Sequence, residues 1–278
     1  MSRNQLVSVY ITTCNRLEKL KKALASVQNQ TYTNIEIIVA DDSSSDGTEA
    51  YMCRYIKEFN NIKYIRNNER KGACINRNNA ISLAQGYFIT GLDDDDEFTK
   101  NRVELFIENW DDKYSFLCAN YYNVYDEEKF LAFSKKQKDR EYNYKNLLFH
   151  NVATNQVFTK TDYLKSINGF SPEMRRLQDW DTWLRLAYSQ GQFLFLKECT
   201  YYMHHQTKAE VERVSNSYSI DKALEDFLKK NKKIFGWRFH QRMCYVNYLQ
   251  KKLTLVGAIY WSMVEFNPLN FIRYFTQK

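Results

Sequence analysis

The stretch NIEIIVADDSSSDGT, residues 34–48, decides the fold. Its first half, Asn34 to Ala40, is a nearly continuous apolar run, the pattern of a strand buried on both faces. Its second half is acidic, small and hydroxylated, the chemistry of turns and helix caps. Upstream, LVSVYIT (6–12) reads as another apolar strand, and RLEKLKKALASVQNQ (16–30) places Leu17, Leu20, Leu24 and Val27 at helical spacing. Downstream, SDGTEAYMCRYIKEF (45–59) predicts a helix and IKYIR (62–66) a short strand. GACINRNNAISLAQ (72–85) then predicts a helix closed by Gly86, and YFITGL (87–92) a further strand. Strand–helix alternation at this spacing calls for parallel strands joined by crossover helices. The expected fold class is α/β: an open, mostly parallel sheet with helices on both faces.

Beyond Phe98 the pattern predicts a helix near 99–110, a strand over YSFLCANYYNVYD (114–126), a polar, less regular stretch from Glu127 to Asn151, and a strand at QVFTK (156–160). LQDWDTWLRLAYSQG (177–191) reads as a helix with Trp180, Trp183, Leu184 and Ala187 in one stripe, and QFLFLKECTYYMHH (192–205) as a strand. From Ser217 onward the chain reads as helices, broken near Gly236 and Pro268. A boundary near 215 divides an α/β body, 1–215, from a helical tail, 216–278.

Composition is that of a globular chain with a core: 278 residues, 44% hydrophobic and 26% charged, with 2 prolines and 8 glycines. The opening MSRNQLVSVYITTCNR lacks the sustained apolar run of a signal peptide. The longest weakly charged segment, LTLVGAIYWSMVEF (253–266), is too short to span a bilayer. Six cysteines stand apart with no C-x-x-C pair, which indicates neither a zinc site nor a disulfide framework and suits a reducing cytoplasm. The net charge of +7 is uneven. Residues 229–264 carry eight Lys and Arg and no acid; removing them from 40 bases leaves 32 against 33 acids. A near-neutral body with a basic tail argues against a general polyanion binder and for a local basic surface.

In open α/β sheets, ligands bind beyond the carboxyl ends of the strands. Three polar clusters fall there: TTCNR (12–16), DDSSSDGT (41–48) and the aspartate run of GYFITGLDDDDEF (86–98). Two carboxylates 4 Å apart repel by about 4 kcal/mol at an effective dielectric of about 20. A solvated turn would spread such charges; a binding site would hold them together and recruit a cation. There is no GxGxxG after a strand and no GxxxxGK[ST], so neither a dinucleotide fingerprint nor a P-loop is present. A haloacid-type phosphatase would want Thr or Val where Glu97 stands, and its nucleophile in the first strand, not the fourth.

VSVYITTCNR, IEIIVADDSSSDGT, RNNAISLAQGYFITGLDDDDEF and LQDWDTWLRL, in this order, resemble the motifs of family 2 inverting glycosyltransferases of the GT-A fold; the likeness covers about residues 6–205. It implies a nucleotide-binding half, 1–110, and an acceptor half, 111–215. It implies that Thr12 and Arg16 contact the nucleotide, and that Asp42, with Asp41 as possible substitute, meets the uracil edge. Lys71 and Arg77 become basic contacts to the nucleotide or its phosphates. The aspartate run matches the DxD motif: Asp93 toward the ribose, Asp95 on the metal, Asp94 and Asp96 as neighbours that blur the register. Asp179 matches the catalytic base, with Gln178 in place of the usual glutamate. Asp181 lies about 200° around the helix from it, facing elsewhere. The bland reading of Asp179 is a helix cap. In YYMHHQ, His205 matches a histidine that reaches the metal or diphosphate. Met203 replaces an arginine, whose phosphate contact could fall to Lys208 or Arg213.

The resemblance therefore implies a metal-dependent inverting glycosyltransferase using Mn²⁺ or Mg²⁺. It would move a hexose or N-acetylhexosamine from a UDP-sugar to an acceptor hydroxyl, on a lipid-diphosphate-linked sugar of bacterial surface polysaccharide (O-antigen or capsule). A divalent ion suits oxygen ligands and a departing diphosphate. The aromatic, basic tail suits peripheral contact with the inner face of the plasma membrane, or else packing on the body or a homodimer contact. No nucleic-acid motif is present. The rival readings are a non-catalytic nucleotide-sugar binder and the phosphatase.

Overall fold

The protein is described by a computed structural model over residues 4–126, 128–134, 138–153, 156–205, 218–250, 254–264 and 268–276. The first seven elements alternate: β1 (Val7–Thr13), α1 (Leu17–Gln28), β2 (Ile35–Asp41), α2 (Thr48–Glu58), β3 (Ile62–Arg66), α3 (Ala73–Leu83) and β4 (Phe88–Asp93). Then come β5 (Glu97–Phe98), α4 (Arg102–Asn109), β6 (Leu117–Tyr125), β7 (Glu128–Leu131), β8 (Arg140–Tyr142), a 3-10 turn (Tyr144–Leu147), β9 (Phe158–Lys160), α5 (Thr161–Ser166), α6 (Gln178–Gln190) and β10 (Phe193–His205). The tail supplies α7 (Ile220–Lys230), α8 (Lys232–Phe235), α9 (Arg238–Gln250), α10 (Leu255–Val264) and α11 (Leu269–Thr276).

One sheet runs in the order β3-β2-β1-β4-β9-β6-β10-β5, with β7 added to β6 and β8 to β10. The pairs β1–β2, β1–β4, β2–β3 and β6–β10 are parallel and carry most of the ladder. The short β9 joins the two parallel blocks by pairing antiparallel to β4 and β6. Every residue of β2 is buried, as a strand covered on both faces requires. Fully burying each of Ile35, Ile37, Ile38 and Val39 contributes about 1.5–3 kcal/mol. The stretch from Glu127 to Asn151, which reads as irregular, holds β7, β8 and the 3-10 turn. β7 and β8 are short and mostly exposed, so apolar periodicity gives little sign of them.

Within the apolar run of β2, Glu36 is also buried. It accepts hydrogen bonds from Ser8 Oγ (2.5 Å), Lys63 Nζ (2.8 Å) and the backbone amides of Gln85 (2.6 Å) and Gly86 (3.0 Å). Burial acts to raise its pKa, but Lys63, Ser8 and the Gln85 amide outweigh it and the carboxyl is held low. Glu36 thereby ties β1, β2, β3 and the α3–β4 turn together at the end of the sheet away from the three polar clusters. Gly86 has no alternative there: a Cβ would lie 2.5 Å from the Ser8 backbone nitrogen.

The chain divides into two compact units. One comprises residues up to Glu173 together with Gln178–Val211; the other comprises Met174–Leu177 and Glu212–Lys278. Inside the second unit, Arg176 donates to the Tyr218 carbonyl (3.2 Å) and Arg175 lies over the Tyr218 ring. None of the six cysteines is in a disulfide. Among the described residues no helix is long and apolar enough to cross a membrane.

Replacing Glu36 by Ala strands two amides and the Lys63 ammonium. Charged-group hydrogen bonds of this kind are worth about 1.5–3 kcal/mol each, less where water reaches the partner as it does Lys63. Denaturant unfolding should show a loss of about 3 kcal/mol at pH 7. Because the Glu36 pKa is depressed on folding, that difference should shrink as pH falls through its folded value.

Candidate active site

The three polar clusters meet where β1, β2 and β4 end. Parallel register puts Thr12 opposite Ala40 on one side and Asp93 on the other. The first two loops interlock. Asn15, at φ 54°, donates its amide to Ser44 Oγ (2.9 Å) and accepts from the Ser45 amide (2.7 Å). Asp46 accepts the Leu17 amide at the start of α1 (2.9 Å) and the Thr48 hydroxyl at the start of α2 (2.6 Å). Much of DDSSSDGT is thus capping and turn chemistry, as its composition suggests.

The two acids of that motif do different things. Asp41 is fully buried; it accepts from the Ser44 amide (2.9 Å) and hydroxyl (2.5 Å) and from Tyr64 OH (2.6 Å). Asp42, nearer the surface, accepts from Asn67 Nδ2 (2.9 Å) and from the amides of Lys71 (2.8 Å) and Gly72 (2.9 Å). Asp42 therefore fixes the loop leading into α3. Lys71 contributes its backbone N–H there, while the residue is exposed.

The aspartate run is a tight turn, with the Asp96 amide donating to the Asp93 carbonyl (3.1 Å). Its carboxylates alternate. The Asp93 and Asp95 side chains stay 26% and 32% exposed, whereas Asp94 is 5% exposed and Asp96 is buried. This alternation separates Asp93 and Asp95 from Asp94 and Asp96. Asp94 pairs with Arg16 (2.9 Å); Asp95 pairs with the same guanidinium (3.1 Å) and lies 3.9 Å from Lys19 Nζ. Asp96 accepts from Tyr201 OH (2.7 Å) and from the His204 amide (2.9 Å), anchoring the turn to β10. Burial pushes the Asp94 carboxyl up to about 6 against the pull of Arg16, with Asp95 adding to the rise. Burial, then Asp93 and Asp95, raise Asp96 well above the usual carboxylate range. Like-charge repulsion in the run is thus met by Arg16, Lys19, buried donors and a higher proton affinity, before any cation is considered.

Asp93 joins this turn to the other half of the site. Its Oδ1 accepts from Arg77 Nη2 (3.0 Å) and Gln156 Nε2 (3.1 Å). Arg77 donates through Nη1 to Gln178 Oε1 (2.8 Å), and its guanidinium stacks over Phe170. Gln156 accepts from the buried Tyr10 hydroxyl (3.1 Å). Gly91 makes room for this floor: a Cβ would lie 2.2 Å from Gln156 Oε1 and 2.4 Å from the Tyr10 ring. Next to Gln178 stands Asp179, in the first turn of α6 and hydrogen-bonded by Asn151 Nδ2 (2.8 Å). Its carboxyl keeps some accessible surface but sits deep among protein atoms. Burial raises it to about 6, while the Trp180 amide and Arg77 pull it down. Asp181 points elsewhere: fully buried, it accepts from Arg185 Nε (2.9 Å) and Ser171 Oγ (2.9 Å).

His205 has its Nε2 2.7 Å from Asn123 Oδ1 and stacks on Tyr125 at the end of the β6–β10 pair. Neighbouring His204 has its Nε2 2.9 Å from Glu97 Oε1. Met203 packs against the core; Lys208 and Arg213 lie outside the described residues. Among the described residues no three of His, Cys, Asp and Glu surround one metal-sized point. The half-open Asp95 carboxylate nevertheless fits the commonest way of holding Mg²⁺, by one or two carboxylates plus substrate phosphates. Gln156, Tyr10, Asn151 and Lys19 escape the motif reading; only their proximity in the fold assigns them to the site.

The model for Glycosyl transferase family 2 matches residues 8–167. The chain belongs to glycosyl transferase family 2. It is 37% identical over 214 residues to an Escherichia coli (strain K12) protein named for colanic acid biosynthesis, the glycosyl transferase WcaA, covering 73% of this chain and 74% of the relative. It is 32% identical over 183 residues to the Escherichia coli UDP-Glc:alpha-D-GlcNAc-diphosphoundecaprenol beta-1,3-glucosyltransferase WfaP, covering 66% and 70%. Among solved structures, S. aureus TarS (residues 1–349) with UDP-GlcNAc superposes with a TM-score of 0.67 at 22% identity, covering 82% of this chain and 65% of that one. The Pyrobaculum calidifontis mannosyltransferase PcManGT, with GDP-Man and Mn²⁺, gives 0.59 at 16% identity, covering 87% and 70%. These likenesses confirm a GT-A fold. Family 2 membership sets the phosphatase reading aside.

The raised Asp179 carboxyl has a consequence for stability. Its folded pKa of about 6 stands above the ordinary 3.8, so folding is favoured below pH 4 and loses that support as pH rises through 6. Asp179→Asn should therefore raise Tm by several degrees at pH 7.5, a shift of two units being worth roughly 3 kcal/mol. The gain should vanish near pH 4, as differential scanning fluorimetry across pH would record.

Proposed function

We propose that this family 2 enzyme is a metal-dependent, inverting hexosyl- or N-acetylhexosaminyltransferase. Its donor is a UDP-sugar and its acceptor a hydroxyl of a lipid-diphosphate-linked sugar, used at the inner face of the plasma membrane to build surface polysaccharide. The observation that carries this reading is the Arg77 bridge. One guanidinium holds Asp93, at the head of the acidic turn, and Gln178, the residue before Asp179. That bridge supports reading the acidic turn as the diphosphate side and Asp179 as the base of one site. The names of the relatives support the donor and acceptor classes: WfaP is named for UDP-Glc and a diphosphoundecaprenol acceptor.

In this scheme Asp179 removes the proton of the acceptor hydroxyl as its oxygen attacks the anomeric carbon. The bond to the diphosphate oxygen breaks on the opposite face, so an α-linked donor yields a β-linked product and UDP departs. A pKa of about 6 suits a general base, because the carboxyl is mostly ionised at pH 7.5 yet a stronger base than an ordinary aspartate. Asn151 orients it. Thr12, Arg16, Asp42 and Lys71 line the nucleotide side, Asp93 faces the ribose, and Arg77 offsets negative charge near the leaving group. Asp95, with His205 within the same family motif set, would hold Mn²⁺ or Mg²⁺, which would stabilise charge developing on the diphosphate.

UDP should raise Tm in the presence of Mn²⁺, and Asp95→Ala should remove that shift. Asp179→Asn should bind UDP as the parent does and lose transfer by at least a thousandfold, read by mass spectrometry of the glycosylated acceptor. Full turnover by Asp179→Asn would refute the base assignment. In the parent, kcat should fall about tenfold per pH unit below pH 6 and level off above it, since the ionised carboxyl is the active form.

A further inference from the structure

The tail unit carries a helix pair whose two faces differ in what covers them. On the inner side, α10 packs on α9: buried Trp261 lies 5.1 Å from the Tyr245 ring and 6.2 Å from Tyr248. Gly257 permits the close approach, since a Cβ would come within 2.4 Å of Tyr248 Cε2. α11 is pinned to the same helix, with Tyr245 OH donating to Asn270 Oδ1 (2.8 Å). The outer side is equally apolar and uncovered. Val256, Ile259, Tyr260 and Met263 form an i, i+3, i+4, i+7 stripe along α10, with Val256 78% and Met263 70% exposed; Ile272 and Phe275 are also exposed, on α11. α10 contains no charged residue at all.

We infer that this outer face is a docking surface for a bilayer carrying anionic lipid. The inference rests on the lipid-linked acceptor proposed above and specifies where, and to what lipid, the enzyme attaches. Length comes first: ten residues of α10 rise about 15 Å, half of a hydrocarbon core, so the helix lies in the interface plane and does not cross. Charge selects the occupant. From Lys229 to Lys278 the chain has ten Lys and Arg and one acid, Glu265. Association of two such basic tails would bring like charge together, whereas an anionic leaflet complements it. An exposed aromatic–basic pair in the same unit suits a headgroup region: Trp237 is 76% exposed, with the Arg238 guanidinium over its ring.

The test is vesicle co-sedimentation of the full chain. It should bind vesicles of 70:30 phosphatidylcholine:phosphatidylglycerol at least tenfold more tightly than pure phosphatidylcholine, and 0.5 M NaCl should weaken that binding. V256E/M263E, altered at two exposed positions, should lose at least tenfold of the affinity while keeping the parent Tm. Asp179→Asn should bind vesicles like the parent, so docking is read independently of transfer. Equal binding by V256E/M263E, or no preference for the anionic vesicles, would overturn the proposal. So would a homodimer in sedimentation velocity that V256E/M263E dissolves, since that would assign the face to a second copy. Failure of transfer with vesicle binding intact would count against the proposed function and leave the docking surface standing.

Discussion

The site depends on one desolvated guanidinium. Arg77 reaches Asp93 at the end of β4 and Gln178 at the start of α6, with its flat face against Phe170. Burial alone would lower its pKa, but Asp93 outweighs that and the charge is retained. A buried cation with one acid partner is costly to separate from it, so α3, β4 and α6 are held in one arrangement. The glutamine matters here. A glutamate at 178 would share Arg77 between two acids and weaken its field at Asp179. With a neutral amide in that place, Arg77 joins the Trp180 amide in drawing the Asp179 pKa down against burial, and the balance lies near 6.

The acidic turn follows a similar logic. A tight turn sends successive side chains in different directions, so four aspartates do not form one tetra-anion. Asp94 and Asp96 face inward, one to Arg16 and one to Tyr201, and fasten the turn to α1 and β10. Asp93 and Asp95 retain open edges. Both pairs carry the D-x-D spacing; Asp94 and Asp96 spend theirs on building the turn, and Asp93 and Asp95 keep accessible edges.

The first half of the chain is legible because its signals are local. Apolar runs such as IEIIVA, caps such as Asp46 and the terminal position of each acidic cluster all lie within a few residues of what they determine. The antiparallel insert leaves little trace in the sequence because β7 and β8 are short and mostly exposed. The supporting residues of the site are hidden for another reason. Gln156, Tyr10 and Asn151 act through contacts with residues 28 to 146 positions away, and no spacing rule encodes such pairs. Glu36 shows the converse. It looks like a lapse in an apolar strand, yet it is among the most fully bonded acids in the sheet.

Three acids of the cleft, Asp94, Asp96 and Asp179, have pKa values raised by burial. Each holds its proton more tightly folded than unfolded, so each favours folding at low pH and ceases to do so as pH rises through its folded value. The cleft is therefore least stabilising under the neutral conditions in which an ionised base is useful, the trade between stability and activity expected of a catalytic site. Glu36, at the opposite end of the same sheet, has its pKa held low and supports the fold most where the cleft supports it least. Cations brought to the site would act in the same direction as Arg16 does at Asp94, lowering the raised carboxyls and restoring stability in proportion to occupancy. The fold thus keeps its electrostatic strain just beyond the carboxyl end of β4 and in the first turn of α6, where a ligand can relieve it, and a fully compensated charge, Glu36, at the other end of the sheet.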